Sequence, residues 1–137
     1  MRVLLAPWAL LAALAALGCG GLRAADLFIV YRTGASPQAH LTLLVNEEGG
    51  VRCNGRSAGK LPDAQIVEAR GIQEDLHGPA SDRLSLAPRP GSVLSYNVRD
   101  PDGSVRFSDN SAAQPPVLRR LALFVLQAAQ QICQLPQ

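Results

Sequence analysis

Hydrophobic and polar residues alternate with a period of two in two neighbouring segments near the C-terminus. Residues 93–99 have the sequence VLSYNVR, and residues 104–109 have the sequence SVRFSD. A period of two gives a strand one apolar face and one wet face. The segment DPDG at 100–103 suits a type I turn, in which Pro101 fixes φ and Asp102 bonds to the local backbone. Together these segments predict a β-hairpin.

A helical period follows the hairpin, after the stiff dipeptide Pro115-Pro116. Its apolar residues recur at spacings of three and four: Leu118, Leu121, Val125, Ala128 and Ile132. Arginine and glutamine residues fall largely on the other side, so the pattern predicts an amphipathic helix that lies across a sheet. We expect the apolar stripe of this helix to cover the dry face of the hairpin.

Three earlier segments predict strands because they are apolar and rich in β-branched residues. They are residues 27–32, 41–46 and 51–53. Glycines in the turn between the second and third strands can take a positive φ. Residues 54–60, which are rich in Gly, Ser and Asn, are predicted to form a loop.

A first helix is predicted from Pro62 to the Gly78-Pro79 pair, since proline is favoured at a helix start and the Gly-Pro pair ends a helix. Residues 80–91 hold several prolines and predict an irregular surface crossing, with Leu84 and Leu86 turned inward. The predicted order is β-β-β-α-β-β-α. The predicted fold is therefore α+β, with a small antiparallel sheet of about five strands packed by two helices.

The N-terminus has the layout of a secretory signal: a short charged start, an apolar run at residues 4–17 and then small residues. That run is shorter than the roughly 20 residues that cross a bilayer as a helix. Cleavage after Ala24 is one possibility. In the other, Ala16–Cys19 is a lipobox and Cys19 carries a lipid. We therefore expect a signal segment at 1–25, one α+β domain at 26–137, and a location that is secreted or anchored to the outer face of the cell membrane.

Two cysteines remain once Cys19 is assigned to the leader or to a lipid. Export places Cys53 and Cys133 in an oxidising compartment, where paired cysteines usually form a disulfide. A redox or metal-binding pair is the alternative, but no residues at metal-ligand spacing accompany them. We predict a structural disulfide between these two residues.

The charge of the full chain, +2, comes from the leader. Without Met1–Ala25 the chain has 11 basic residues (13 minus Arg2 and Arg23) and 11 acidic residues, and its net charge is zero. No basic stripe is visible in the sequence, so we expect no nucleic-acid partner.

Motifs of catalysis are missing from the sequence: it holds no nucleophile elbow, P-loop or dinucleotide fingerprint. His40 and His77 are interpreted as surface histidines, and His77 is expected at a helix end. We expect no enzyme activity, no cofactor and no metal. A deep pocket that gathers either histidine with carboxylates would favour an enzyme instead.

Three short motifs resemble those of a known family. They are Arg32-Thr33-Gly34 after the first strand, the hairpin with its trailing Asp109, and Pro115-Pro116 followed by Leu118 and Leu121. Over residues 27–126 the chain resembles the emfourin family, small protein inhibitors of thermolysin-like metalloproteases. Ala35 stands where the family has a second turn glycine. The chain also resembles small exported actinobacterial proteins that have no assigned activity.

The resemblance implies an exported binding module that acts on a protein partner, with a thermolysin-like protease as the candidate. We predict that the loop after the first strand docks into the cleft of that partner. The loop residues are Arg32, Thr33, Gly34, Ala35, Ser36 and Pro37. The alternative is a lipid-anchored structural or assembly protein of the cell envelope, which would touch the membrane only through a lipid at Cys19.

Overall fold

One antiparallel sheet of six strands and two helices make up the part of the chain that the computed structural model describes, residues 22–135. The predicted signal segment up to residue 21 and the predicted lipid site at Cys19 lie outside these residues. The strands are β1 (Asp26–Gly34), β2 (Leu41–Asn46), β3 (Gly50–Cys53), β4 (Arg56–Lys60), β5 (Leu94–Asp100) and β6 (Gly103–Ser108). The helices are α1 (Asp63–Ser81) and α2 (Pro116–Gln131).

The spatial order of the strands is β4-β3-β2-β1-β5-β6, so β1 lies inside the sheet between β2 and β5. Phe28 and Val30 of β1 and Leu43 and Val45 of β2 are fully buried on the face that carries the helices. The predicted α+β class and the antiparallel sheet are confirmed. The alternating strands bury one face, as a period of two requires.

The apolar stripe of α2 covers that face. Leu121 and Val125 are completely buried, and the ring of Phe124 meets the ring of Phe28 edge to face at 5.9 Å. The rings of Tyr96 and Phe107 stack across the hairpin at 4.7 Å. The predicted amphipathic helix is therefore confirmed, and its stripe packs on the central strand β1. The helix whose backbone approaches the hairpin strands β5 and β6 most closely is α1. Neither α1 nor α2 is long and apolar enough to cross a membrane.

Strand β4 was not predicted, because residues 56–60 were expected to form a loop. All five of its side chains are exposed, so it shows no alternation between apolar and polar residues. The signal lies in the turn before it: Asn54 and Gly55 both have positive φ, 51° and 81°. This conformation favours an Asn-Gly pair and joins two strands in a tight hairpin.

The end of α1 also differs from the prediction. The helix continues through Pro79 to Ser81 instead of stopping at the Gly78-Pro79 pair. Gly103, at the start of β6, lies so close to the Ala80 carbonyl that any side chain there would collide with it. The crossing that follows is largely irregular, as predicted, although Leu84 and Leu86 exchange backbone hydrogen bonds with Arg106.

The turn of the hairpin is held by a different aspartate from the one predicted. Asp100 Oδ1 accepts the backbone N–H groups of Asp102 and Gly103, each at 2.9 Å. Asp102 instead directs its carboxylate to His77. The prediction that Asp102 bonds to the local backbone was wrong, because Asp100 precedes the turn and reaches both N–H groups.

The predicted disulfide between Cys53 and Cys133 is present, with the two Cα atoms 5.8 Å apart. It joins the end of β3 to the residues just after α2. The two cysteines are 80 positions apart, so the bond closes a long loop. Long loops lose much conformational freedom in the unfolded chain when they are closed.

Replacing both cysteines by serine should lower the free energy of unfolding by about 3–5 kcal/mol, because the unfolded chain regains that freedom. Urea titration followed by circular dichroism measures the change. Reduction of the wild type should give the same loss, and reductant should leave the double variant unchanged. Equal stability of oxidised and reduced wild type would contradict the prediction.

Leu121 and Leu123 offer a matched pair for testing the α2 stripe, since Leu121 is fully buried and Leu123 is 55% exposed. Leu121→Asp should cost about 4 kcal/mol or more, because a carboxyl without a partner would enter the core. Leu123→Asp should cost about 1 kcal/mol or less, as usual for surface changes. Thermal unfolding measures both, and a cooperative Leu121→Asp variant of near wild-type stability would show that the stripe is not core.

Candidate functional site

Strand β1 continues through Arg32, Thr33 and Gly34, which pair with β5. The prediction that these three residues belong to the loop was wrong, because the chain keeps its ladder with β5 up to Gly34, and the loop to β2 spans residues 35–40. Just before this loop lies a buried arginine. Arg32 is only 8% exposed, and its Nε donates a hydrogen bond of 2.8 Å to the Ala39 carbonyl. A buried charge is stable only when its polar atoms are satisfied. The Arg32 side chain therefore ties β1 to the far end of the loop from inside.

The loop is fixed at two further points. A side chain at Gly34 would lie 2.6 Å from the Val93 carbonyl, so the absence of a Cβ allows the loop to pack against the segment before β5. Pro37 begins a short 3-10 turn, Pro37–Ala39, which is closed by the bond from the His40 N–H to the Pro37 carbonyl. Proline limits the freedom of the backbone there.

The predicted loop residues thus divide into two groups. Arg32 and Gly34 are buried or half-buried and hold the loop in place. The exposed residues, which are free to meet a partner, are Thr33, Ala35, Ser36, Pro37 and Gln38.

A groove of about 200 Å³ runs beside the loop. It lies between the loop and the end of α2, and its lining includes the leucines Leu94, Leu126 and Leu135. Leu126 is 45% exposed although it lies on a folded helix. Ser36 and Gln38 form the polar rim on the side of the loop. The groove is an apolar surface next to a fixed polar loop.

The disulfide helps to position this groove. After α2 the chain turns back, and the N–H groups of Cys133 and Leu135 donate to the carbonyls of Ala128 and Ala129. Gln134 has a φ of 53°, which reverses the chain direction. Leu135 is thereby placed in the groove, two residues after Cys133.

The sequence prediction did not include the groove, because its walls come from segments almost a hundred residues apart. One local signal was present. Leu126 and Leu123 are exposed apolar residues on a side of α2 that also carries polar residues. An exposed leucine of this kind often belongs to a contact surface when neighbouring apolar residues join it.

A second cluster surrounds His77, which lies within α1. His77 Nδ1 lies 2.9 Å from Asp102 Oδ2 in an open depression of about 630 Å³. Glu74, Glu47 and Arg70 also line this depression. The structure thus brings together His77 and carboxylates, whereas His40 lies elsewhere, after the 3-10 turn of the loop.

Electrostatics in this cluster follow from its geometry. The hydrogen bond and the charge of Asp102 raise the pKa of His77. Burial raises the pKa of Asp100, whose Oδ2 has no hydrogen-bond partner among the described residues. The imidazole of His77 is therefore protonated more readily than that of an unpaired histidine.

A nucleophile does not accompany this pair. The depression is wide and exposed to solvent, and its lining among residues 22–135 includes no Ser, Thr or Cys side chain. The same part of the chain holds no group of three or more His, Cys, Asp or Glu residues that could bind a metal ion. The cluster is a surface ion pair, and its arrangement does not indicate a particular reaction.

Comparison with known proteins adds no relative: no family model, no curated protein and no solved structure matches the chain. The likeness to emfourins therefore depends on the sequence motifs alone.

The pair of His77 and Asp102 gives a pH-dependent prediction. Asp102→Asn should bring the pKa of His77 back toward its ordinary value of 6.5, because the carboxylate that favours the imidazolium is removed. The stabilisation from the pair is fully present below that ordinary value and is lost as pH rises through the raised pKa of His77. NMR titration of the His77 ring measures the change. The control is Asp75→Asn on the same helix, which should leave the pKa of His77 at its wild-type value.

Proposed function

We propose that this chain is an exported binding module that engages a protein partner through the exposed loop after β1, residues 35–38, and the adjoining groove. One observation carries the proposal: an exposed loop that is fastened from inside lies beside an apolar groove. The fastening groups are the Arg32 guanidinium, the Gly34 backbone and the 3-10 turn at Pro37.

A fixed loop favours binding for an energetic reason. Ordering a flexible loop on association costs about 0.5–1.5 kcal/mol for each immobilised side chain, and a loop already in place avoids part of this cost. The groove adds apolar contact area around Leu126, while Ser36 and Gln38 can supply polar contacts at its rim. This combination of an apolar centre and a polar rim is common in protein interfaces.

The partner that the sequence resemblance favours is a thermolysin-like metalloprotease. In such a complex the loop tip at Ala35–Pro37 would enter the cleft of the protease, and Leu126 would rest against its rim. The proposal needs no catalytic group in this chain. It requires only that the loop keep its shape when a protease binds.

The test uses two exposed alanines as a matched pair, Ala35 in the loop and Ala112 in the connection before α2. The wild-type chain at micromolar concentration should slow peptide hydrolysis by a thermolysin-like protease. Ala35→Arg should raise the half-inhibitory concentration about tenfold or more, because a long charged side chain would have to fit into the cleft. Ala112→Arg should leave that concentration unchanged.

Two results would count against this function. Unchanged hydrolysis with the wild type would remove the protease inhibitor. Equal effects of the Ala35 and Ala112 substitutions would show that the loop is not the contact surface. Thermal unfolding of each variant establishes that both remain folded.

A further inference from the structure

The face of the sheet opposite the helices is left open and is basic. The strand register aligns its side chains in rows across the sheet. One row is Arg52, Leu44, Ile29 and Arg99, and the next is Thr42, Tyr31, Asn97 and Arg106. We refer to these eight residues as the open face. Its arginines come from β3, β5 and β6, which explains why the linear sequence shows no basic stripe.

Charge on the open face has one sign. Arg52, Arg99 and Arg106 are exposed, and none of them forms an ion pair with another residue of 22–135. Arg23 adds a fourth exposed cation at the corner of the face. The carboxylate nearest to that corner, Asp26, is buried and accepts the backbone N–H of Arg23 at 2.7 Å.

The middle of the open face consists of apolar side chains that are buried or half-buried, and Ile29 is only 6% exposed. Ile29 and Leu44 are neighbours in one row, and the Tyr31 ring lies beside them. The Arg99 guanidinium carbon lies 6.0 Å from the centroid of that ring. Arginine and tyrosine side chains combine an apolar body with a polar end, which suits the boundary between water and lipid headgroups.

The first described residues of the chain, Leu22 and Arg23, lie beside the open face. Leu22 lines a depression with Ile29 and Tyr31, and Arg23 lines a neighbouring depression of about 400 Å³. Cys19 is three residues before Leu22. Three residues span at most about 10 Å, which is close to the distance over which charges act through physiological salt. A lipid on Cys19 would therefore hold the open face within electrostatic reach of the membrane.

We propose that the open face binds the headgroups of anionic phospholipids and turns the sheet toward the membrane surface. The four arginines supply the attraction. With Arg23 included, residues 22–135 have 12 basic and 11 acidic residues, so no net negative charge opposes it. The helices then point away from the membrane. This orientation is independent of the protease partner, so either proposal can fail alone.

The experiment measures partition of the full chain between buffer and vesicles. One set of vesicles contains phosphatidylglycerol mixed with phosphatidylcholine, and the other contains phosphatidylcholine alone. The quantity of interest is the partition coefficient for vesicles with phosphatidylglycerol divided by that for phosphatidylcholine alone. The leader contributes to both coefficients, so this ratio reports the effect of headgroup charge. Each basic residue near an anionic surface contributes about fivefold to binding. Arg99→Gln with Arg106→Gln should therefore lower the ratio at least tenfold.

A matched control removes the same charge elsewhere. Arg56 of β4 is the register partner of Cys53, so both side chains lie on the face of the sheet that carries the helices. Arg119 is exposed on α2. Arg56→Gln with Arg119→Gln should change the ratio less than twofold. Arg99→Lys with Arg106→Lys should keep most of the preference, because the interaction depends on charge. Thermal unfolding checks that all variants are folded.

Several outcomes would overturn the proposal. The first is an equal fall of the ratio in the two double glutamine variants, the one on the open face and the one at Arg56 and Arg119. The second is a wild type that shows no preference for vesicles with phosphatidylglycerol. The third is a double lysine variant that loses this preference. Full competition by soluble glycerol phosphate or by a single-stranded oligonucleotide would likewise overturn it, since either would identify a ligand other than a lipid surface.

Discussion

Packing of α2 onto the central strand β1 is the interaction on which the rest of the structure depends. The sheet has one dry face, and a single sheet with an exposed apolar face does not fold alone. Leu121 and Val125 bury themselves on that face, and Phe124 contacts Phe28. The disulfide at Cys133 then fixes the end of the helix relative to β3. The groove beside the loop after β1 exists because this helix end has one position.

The same packing decides which surfaces are left for other molecules. The helices occupy one face of the sheet, so the opposite face and the loop end remain accessible. The acidic residues Glu68 and Asp75 of α1 pair with Arg120 of α2, at 3.1 Å for the Glu68 contact. Exposed pairs of this kind contribute little to stability. Their consequence is electrostatic: charge on the helix side is largely compensated, and the arginines of the sheet are not.

Local patterns predicted the parts of the fold that have a strong period. The hairpin and the α2 stripe follow from short-range spacing, and the disulfide partners follow from the number of cysteines left after the predicted export signal. Strand β4 was missed because an edge strand that buries no side chain has no alternation, although the Asn54-Gly55 pair indicated its turn. The groove and the open face could not be predicted, since both need the register between strands and the place where the last helix ends.

Register also explains how the open face can be basic without a separate cost in stability. In β5 the buried residues Tyr96 and Val98 alternate with Asn97 and Arg99. A slip of one position would expose the first pair and bury the second. Burial of an unpaired arginine is far more costly than any gain from a surface charge. The apolar core therefore selects the one register that aligns Arg99 with Ile29 and Arg106 with Asn97 on the open side. The position of the charges is a consequence of the core.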